Sequence, residues 1–182
     1  PRLRCRLLHR ILQEHAVWSK RIDFARIGVA GHSSGGYTAI ALGGALYDHE
    51  AMADYCNGPE RGPDCDLITE DVEVDFSDSG HSYKDARIRS ILAMAPAVGP
   101  GVTRQSLAAI DVPVRIIATK DDELLSLKHH AYYYADHMPM SDLTILPKGG
   151  HFIFLECDVV TRIADWFITE LDLCGSQSSV DR

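Results

Sequence analysis

The chain has 182 residues, enough for one domain with a hydrophobic core, and its 46% hydrophobic and 24% charged content is ordinary for a globular protein. Its 18 basic and 26 acidic side chains give a formal charge of −8, and no basic run is interleaved with aromatic residues, which argues against nucleic-acid binding. No apolar stretch reaches the roughly 18 residues that span a bilayer, and no signal peptide is visible.

Short apolar runs alternate with helical patterns along the chain. The apolar runs predict four strands, at 26–30, 88–96, 112–120 and 142–147, and the helical patterns predict three helices, at 37–46, 127–138 and 158–171. Strands separated by helices indicate a parallel sheet with right-handed crossovers, so we predict an α/β fold. We interpret residues 1–174 as one domain and the polar residues 175–182 as a disordered tail.

Residues 48–87 interrupt this alternation with twelve acidic side chains against three basic ones. We interpret them as an acidic insertion or cap-like segment over one end of the sheet. A solvent-exposed segment is the simpler interpretation, and a dedicated binding element is the alternative. Within it, Cys56 and Cys65 either close a Gly/Pro-rich loop as a disulfide or remain free thiols. No Cys-x-x-Cys pair occurs, and the adjacent His129 and His130 face apart on a helix, so no metal site is expected.

The stretch Gly31-His32-Ser33-Ser34-Gly35 follows the first predicted strand and precedes the first predicted helix. A phosphate-binding loop would need a lysine after its glycines, and the glycine spacing does not match that of a dinucleotide turn. The pattern Gly-x-Ser-x-Gly between a strand and a helix favours a nucleophile elbow, in which residues two positions from the serine must lack a Cβ for the turn to close. His32, which precedes the serine, is a candidate for the wall of the pocket, and a supporting role in packing is the equal alternative.

A serine nucleophile needs a histidine base and an acid that orients it, in the chain order serine, acid, histidine. Asp121, Asp122 and Glu123 follow the third predicted strand, and Gly149 and Gly150 precede His151 after the fourth. Because the carboxyl ends of parallel strands meet at one edge of the sheet, we expect these groups to lie near Ser33.

Four segments of the chain resemble the dienelactone-hydrolase-related α/β-hydrolases and are also similar to the platelet-activating-factor acetylhydrolase group. These segments are RIGVAGHSSGGYTA, AMAPAVG, SLAAIDVPVRIIATKDDE and LPKGGHFIFLE. The resemblance runs from about residue 20 to 171. It implies an α/β-hydrolase fold and an ester hydrolase with Ser33 as nucleophile, His151 as base and Asp122 as acid. Asp121 is the alternative residue for the acid. It implies no cofactor and a small ester as substrate. The family's insertion often carries two cysteines, which favours a Cys56–Cys65 disulfide and a periplasmic or secreted location over a cytoplasmic one.

The chain also departs from this family. Dienelactone hydrolase itself uses a cysteine nucleophile where this chain has Ser33, which argues against dienelactone as substrate. The family's sheet has about eight strands, but only four are predicted here, so the sequence reads as the carboxyl-terminal part of an enzyme. The first strand then becomes an apolar edge that invites self-association. The backbone N–H of Ser34 remains as an oxyanion donor. The alternative is a non-catalytic α/β-hydrolase fragment or binding module with an incomplete oxyanion hole.

Overall fold

A computed structural model describes residues 10–67 and 79–155. Its strands are β1 (Ile27–His32), β2 (Ile88–Met94), β3 (Val114–Thr119) and β4 (Ser141–Leu146), and they form one parallel sheet in the order β1-β2-β3-β4. Neighbours in sequence are neighbours in the sheet, so each connection is a crossover between adjacent parallel strands. The sheet confirms the predicted α/β class.

The α-helices that flank or connect the strands include α1 (Ser34–Gly43), α2 (His49–Asn57), α3 (Arg104–Ala108) and α4 (Ala131–His137), and residues 10–14 are also helical. Short 3₁₀ helices occur at Trp18–Lys20, Pro63–Leu67 and Gly99–Gly101. None of the helices in the described ranges is long and apolar enough to cross a membrane.

Helix boundaries differ from those that periodicity predicted. Helix α1 begins directly after Ser33, three residues earlier than expected, and ends before Gly44, whose φ of 126° suits a residue without a Cβ. Helix α4 begins only at Ala131 rather than at 127. The predicted helix at 158–171 and the predicted tail at 175–182 lie outside the described residues.

The acidic stretch 48–87 contains more structure than an irregular excursion. Asp48 caps α2 by accepting a hydrogen bond from the backbone N–H of Ala51, and a 3₁₀ helix follows at Pro63–Leu67. The structure joins Cys56 to Cys65 by a disulfide between these two elements. Residues 48–67 therefore comprise a capped α-helix and a 3₁₀ helix that a disulfide joins covalently.

The core lies between the sheet and the helices that cover it. Its members share exposures below 10% and come mainly from α1, the two inner strands β2 and β3, α3 and α4; they include Ile40, Leu42, Ile91, Leu107, Ile116 and Tyr134. Burial on this scale stabilises each large apolar side chain by about 1.5–3 kcal/mol relative to exposure. The core leaves the carboxyl ends of the strands open for polar groups.

The outer side of β1 carries no further strand within the described residues. An apolar groove of about 320 Å³ runs beside it, lined by residues that include Leu12, Ile22, Phe24, Ile27, Val29 and Leu42. An unpaired strand edge with an apolar surface beside it is a template for association.

Candidate active site

Ser33 occupies a strained backbone conformation at the junction of β1 and α1. Its φ of 57° and ψ of −121° lie where residues with a Cβ are rare, and such conformations persist only when the surrounding structure imposes them. A Cβ on Gly31 would lie 2.0 Å from the carbonyl oxygen of Gly35, so this turn closes only with glycine at position 31.

The second glycine that the turn requires is Gly36 and not Gly35. A Cβ on Gly35 would meet nothing within 4 Å, whereas one on Gly36 would lie 3.0 Å from the Cα of Pro96. The expectation that both residues two positions from Ser33 must lack a Cβ is therefore wrong for Gly35. At Gly36, α1 approaches the segment that follows β2. The spacing of glycines around Ser33 in the sequence does not reveal this contact.

Hydrogen bonds from the end of β2 hold the turn. The backbone N–H of Ser33 donates to the carbonyl oxygen of Met94 at 2.9 Å, and the carbonyl oxygen of Ser33 accepts from the N–H groups of Ala97 and Tyr37, each at 3.1 Å. Ala95 and Val98 also have positive φ, at 40° and 53°. Two strained segments thus support each other at the carboxyl end of the sheet.

Asp122 and His151 form a buried pair at the same edge. His151 Nδ1 lies 2.8 Å from Asp122 Oδ2, and the two side chains are 1% and 2% exposed. The other carboxylate oxygen, Oδ1, accepts hydrogen bonds from the N–H groups of Leu124 and Leu125 at 3.0 and 2.8 Å. Of the two adjacent aspartates, the structure brings Asp122 to the histidine and leaves Asp121 exposed.

The environment of Asp122 favours its ionised form. Burial alone raises the pKa of this carboxyl, but the hydrogen bond and charge of His151, together with the N–H groups of Leu125 and Leu124, hold it below the ordinary value. A carboxylate only accepts hydrogen bonds, so Nδ1 of His151 carries the proton and Nε2 is left able to accept one.

The backbone of His151 is held on both sides. Its N–H donates to Glu123 Oε2 at 3.0 Å, and its carbonyl oxygen accepts from His32 Nε2 at 2.8 Å. The ring centroids of His32 and His151 are 4.7 Å apart. The predicted pocket candidate His32 therefore contacts the loop of His151, a role that its sequence position beside Ser33 did not reveal.

His32 is neutral near pH 7. Burial, and next the charge of His151, lower its pKa from 6.5 to about 4, despite its hydrogen bond to the His151 carbonyl. Its ring also contacts Phe152 and Phe154, with centroid separations of 5.9 and 5.6 Å. A neutral imidazole in this position donates one hydrogen bond and otherwise packs as an apolar ring.

Within the described ranges, no hydrogen bond to Ser33 Oγ is present. Hydrogen bonds between catalytic groups are often long without substrate and tighten when it binds. The N–H of Ser34 belongs to the first turn of α1, whose N–H groups an α-helix leaves without intrahelical acceptors. An anion placed there would also interact favourably with the helix dipole.

His130, to which sequence analysis assigned no role, lies beside this site. It is 1% exposed, and with Asp122, Pro96, Leu125 and other residues it lines a cavity of about 10 Å³. His129 faces away from it toward Glu60, at 3.2 Å. The described residues contain no cluster of three metal-ligating side chains.

Comparison with known proteins identifies no family. No family model and no curated protein matches the sequence. Dipeptidyl peptidase 4 of Porphyromonas gingivalis has a similar chain course, with a TM-score of 0.42 and 16% identity over 82% of this chain and 20% of that one. A predicted CIB-like hydrolase of Thermoplasma acidophilum has a TM-score of 0.42 and 18% identity over 81% of this chain and 53% of that one. A truncated carbohydrate esterase from gut microbiota has a TM-score of 0.44 and 15% identity over 90% of this chain and 65% of that one.

The chain thus spans 20% to 65% of the length of these structures. With TM-scores below 0.5 and identities below 20%, the likenesses carry no functional argument. A strand, a strained serine turn, a helix and three further parallel strands in sheet order form part of an α/β-hydrolase fold.

Proposed function

We propose that this chain is a serine hydrolase that cleaves small carboxylic esters through an acyl-enzyme. The observation that carries the proposal is the buried pair of Asp122 and His151, placed beside the strained turn of Ser33. A nucleophile, a base and an acid that orients the base are the three parts that this chemistry needs.

In the proposed reaction, His151 Nε2 removes the proton of Ser33 Oγ as the oxygen attacks the ester carbonyl. Asp122 stabilises the imidazolium that forms, and the proton passes to the departing alkoxide, so an alcohol leaves. Water, deprotonated by His151, then attacks the acyl-enzyme. The bond between the acyl carbon and Ser33 Oγ breaks, Ser33 Oγ takes the proton back from His151, and the carboxylic acid leaves. The N–H of Ser34 stabilises the oxyanion, and no step needs a cofactor.

The resemblance to the dienelactone-hydrolase-related enzymes supports an ester as substrate. A hydroxyl nucleophile at position 33, where dienelactone hydrolase has a thiol, supports a carboxylic ester other than dienelactone. Among the described residues, the backbone N–H of Ser34 is the one oxyanion donor that we assign, and the loss of a second donor costs about 10²–10³-fold in rate. We therefore expect measurable but modest turnover of small activated esters.

A second candidate is a non-catalytic hydrolase-fold module. It is favoured by the lack of a hydrogen bond to Ser33 Oγ among the described residues. In this case the strained serine turn and the buried Asp122–His151 pair stabilise the fold without catalysing a reaction. The chain then acts by binding a ligand or by associating with a partner along the edge of β1.

The two candidates are separated by a fluorophosphonate probe, whose phosphorus forms a covalent bond to an activated serine oxygen as fluoride leaves. We expect one adduct per chain, mapped to Ser33, lost in Ser33→Ala and His151→Ala. It should persist in the matched variants Ser82→Ala and His81→Ala, whose side chains are exposed. A folded wild-type sample that gains no adduct on Ser33 would overturn the enzyme proposal and favour the binding module.

A further inference from the structure

The loop closed by the Cys56–Cys65 disulfide packs against the segment that precedes α4. Lys128 Nζ and His129 Nε2 contact the two carboxylate oxygens of Glu60, at 2.6 and 3.2 Å. The ring of Tyr55, next to Cys56, lies with its centroid 5.0 Å from that of His129. These contacts join Tyr55 and Glu60, at the disulfide-closed loop, to residues 128–129, so the loop is held against the segment that leads into α4.

A second pair of buried groups lies beneath these surface contacts. Asp64, which precedes Cys65, and His130 have side chains that are 6% and 2% exposed, with Asp64 Oδ2 3.2 Å from His130 Nε2. The other oxygen of Asp64 accepts a hydrogen bond from Tyr55 Oη at 3.2 Å. Nδ1 of His130 accepts from the backbone N–H of Gly99 at 3.2 Å, so the single proton of the neutral ring is on Nε2 and faces Asp64.

Asp64 Oδ2 and His130 Nε2 lie within ion-pair distance of each other, although they do not form a hydrogen bond. Neither Asp64 Oδ2 nor His130 Nε2 has a hydrogen-bond partner among the described residues. Buried polar atoms without partners are costly, so each group holds the other in place.

His130 also connects to both parts of the candidate active site. Gly99, which donates to it, follows Val98 in the segment whose Ala97 N–H binds the carbonyl oxygen of Ser33. A Cβ on Gly99 would lie 2.3 Å from the carbonyl oxygen of His129, so the two segments are in close contact. On its other side, His130 lines the small cavity that Asp122 also lines.

We propose that Asp64 and His130 are positioning residues for the proposed hydrolysis, and that the Cys56–Cys65 disulfide holds Asp64 against His130. The inference rests on the proposed function. In the oxidised chain, Asp64 fixes the orientation of the His130 ring. His130 then supports the turn of Ser33 through its hydrogen bond with Gly99, and it limits the space into which Asp122 can move. Reduction of the disulfide frees Asp64 to move, and the reaction slows while the fold persists.

The test measures the rate of fluorophosphonate labelling of Ser33, and kcat and KM for a small activated ester, as functions of pH. A misplacement of catalytic groups by about 1 Å costs up to 10²-fold in rate, so we expect Asp64→Ala to lower kcat about 10- to 100-fold with KM within about twofold. Asp64→Asn retains the hydrogen-bonding shape and should recover most of kcat. The matched control is Asp66→Ala, in the same 3₁₀ helix but exposed and paired with Arg61.

A pH profile distinguishes positioning from general loss of structure. If Asp64 acts through His130 on the Asp122–His151 pair, the apparent pKa of the labelling profile shifts in Asp64→Ala and returns in Asp64→Asn. A variant that is only partly folded would lose amplitude at every pH without moving that pKa. Asp64→Ala with the rate and pH profile of Asp66→Ala would overturn the proposal.

The disulfide is tested on the unmodified chain with a phosphine, which donates two electrons to the S–S bond. The bond is cleaved to two thiols, and the phosphine becomes its oxide with water as the oxygen source. We expect wild-type labelling to slow to the rate of Cys56→Ser/Cys65→Ser, and the double variant to be insensitive to phosphine. Equal wild-type rates before and after reduction refute the disulfide's role. If the oxidised wild type is not labelled at Ser33 at all, the proposed function itself has failed and this inference falls with it.

Discussion

His32 donates a hydrogen bond from Nε2 to the backbone carbonyl oxygen of His151, at 2.8 Å across 119 positions of sequence. The residue before the candidate nucleophile thus holds the backbone of the candidate base. The two loops that must meet for the proposed chemistry are joined independently of any contact between Ser33 and His151 themselves.

Removing this hydrogen bond should slow the reaction without unfolding the chain. We expect His32→Ala to lower kcat about 10- to 100-fold, because the His151 loop loses its contact with the turn, and to cost about 1 kcal/mol of stability. His32→Gln, which retains a donor, should recover part of the rate. Steady-state kinetics with melting curves would check this, and wild-type kcat in His32→Ala would contradict it.

Gly31 and Gly35 form a matched pair for testing the turn. Gly31→Ala places a Cβ 2.0 Å from a carbonyl oxygen, and we expect it to destabilise the fold by roughly 1–3 kcal/mol and to abolish labelling of Ser33. Gly35→Ala meets open space and should leave stability unchanged or raise it by up to about 1 kcal/mol. Thermal unfolding of both variants decides the matter, and equal melting temperatures would refute the steric explanation.

Asp122 and the adjacent Asp121 offer a second comparison. Asp122→Asn presents an amide to Nδ1 of His151 and disfavours the tautomer that the base needs, so we expect a loss in kcat of about 10⁴-fold. Asp121→Asn, at an exposed position, should stay within about twofold of wild type. Comparable losses in the two variants would mean that the acid has been assigned to the wrong residue.

Stability should fall as the pH drops from about 6.5 toward 4. Burial lowers the pKa values of His32 and His130 to about 4, so between these pH values the unfolded chain binds protons that the folded chain does not. His130→Asn removes one such group and should flatten the decline, whereas His81→Asn, at an exposed loop position, should not. Chemical denaturation at several pH values measures the slopes, and a wild-type free energy of unfolding that rises toward pH 4 would be inconsistent with this account.

One edge of β1 pairs with no other strand among the described residues, and we expect this edge to make the chain self-associate. The groove beside it is apolar, and strand edges of this kind pair with a second copy. We expect Ile22→Glu, which places a charge in the groove, to shift the mass measured by light scattering toward the monomer. Lys20→Glu, an exposed control nearby, should not shift it. A wild-type chain that is monomeric at high concentration would contradict the expectation.

Local features of the sequence determined the fold class and the main elements of the candidate site. Ser33 is recognisable because an elbow needs glycine near a serine between a strand and a helix, and these residues are consecutive. Asp122 and His151 could be predicted because the carboxyl ends of neighbouring parallel strands converge, so the order of the strands along the chain places them together.

The tertiary structure alone decided contacts between segments that are distant in sequence. Gly36 rather than Gly35 meets Pro96 because α1 packs on the segment after β2, and no pattern around Ser33 encodes that approach. Asp64 meets His130 across 66 positions, although an acidic loop residue and one of two adjacent histidines each suggest a solvated side chain. Periodicity reports which face of an element is buried, but burial of a polar pair depends on which two surfaces the fold brings together.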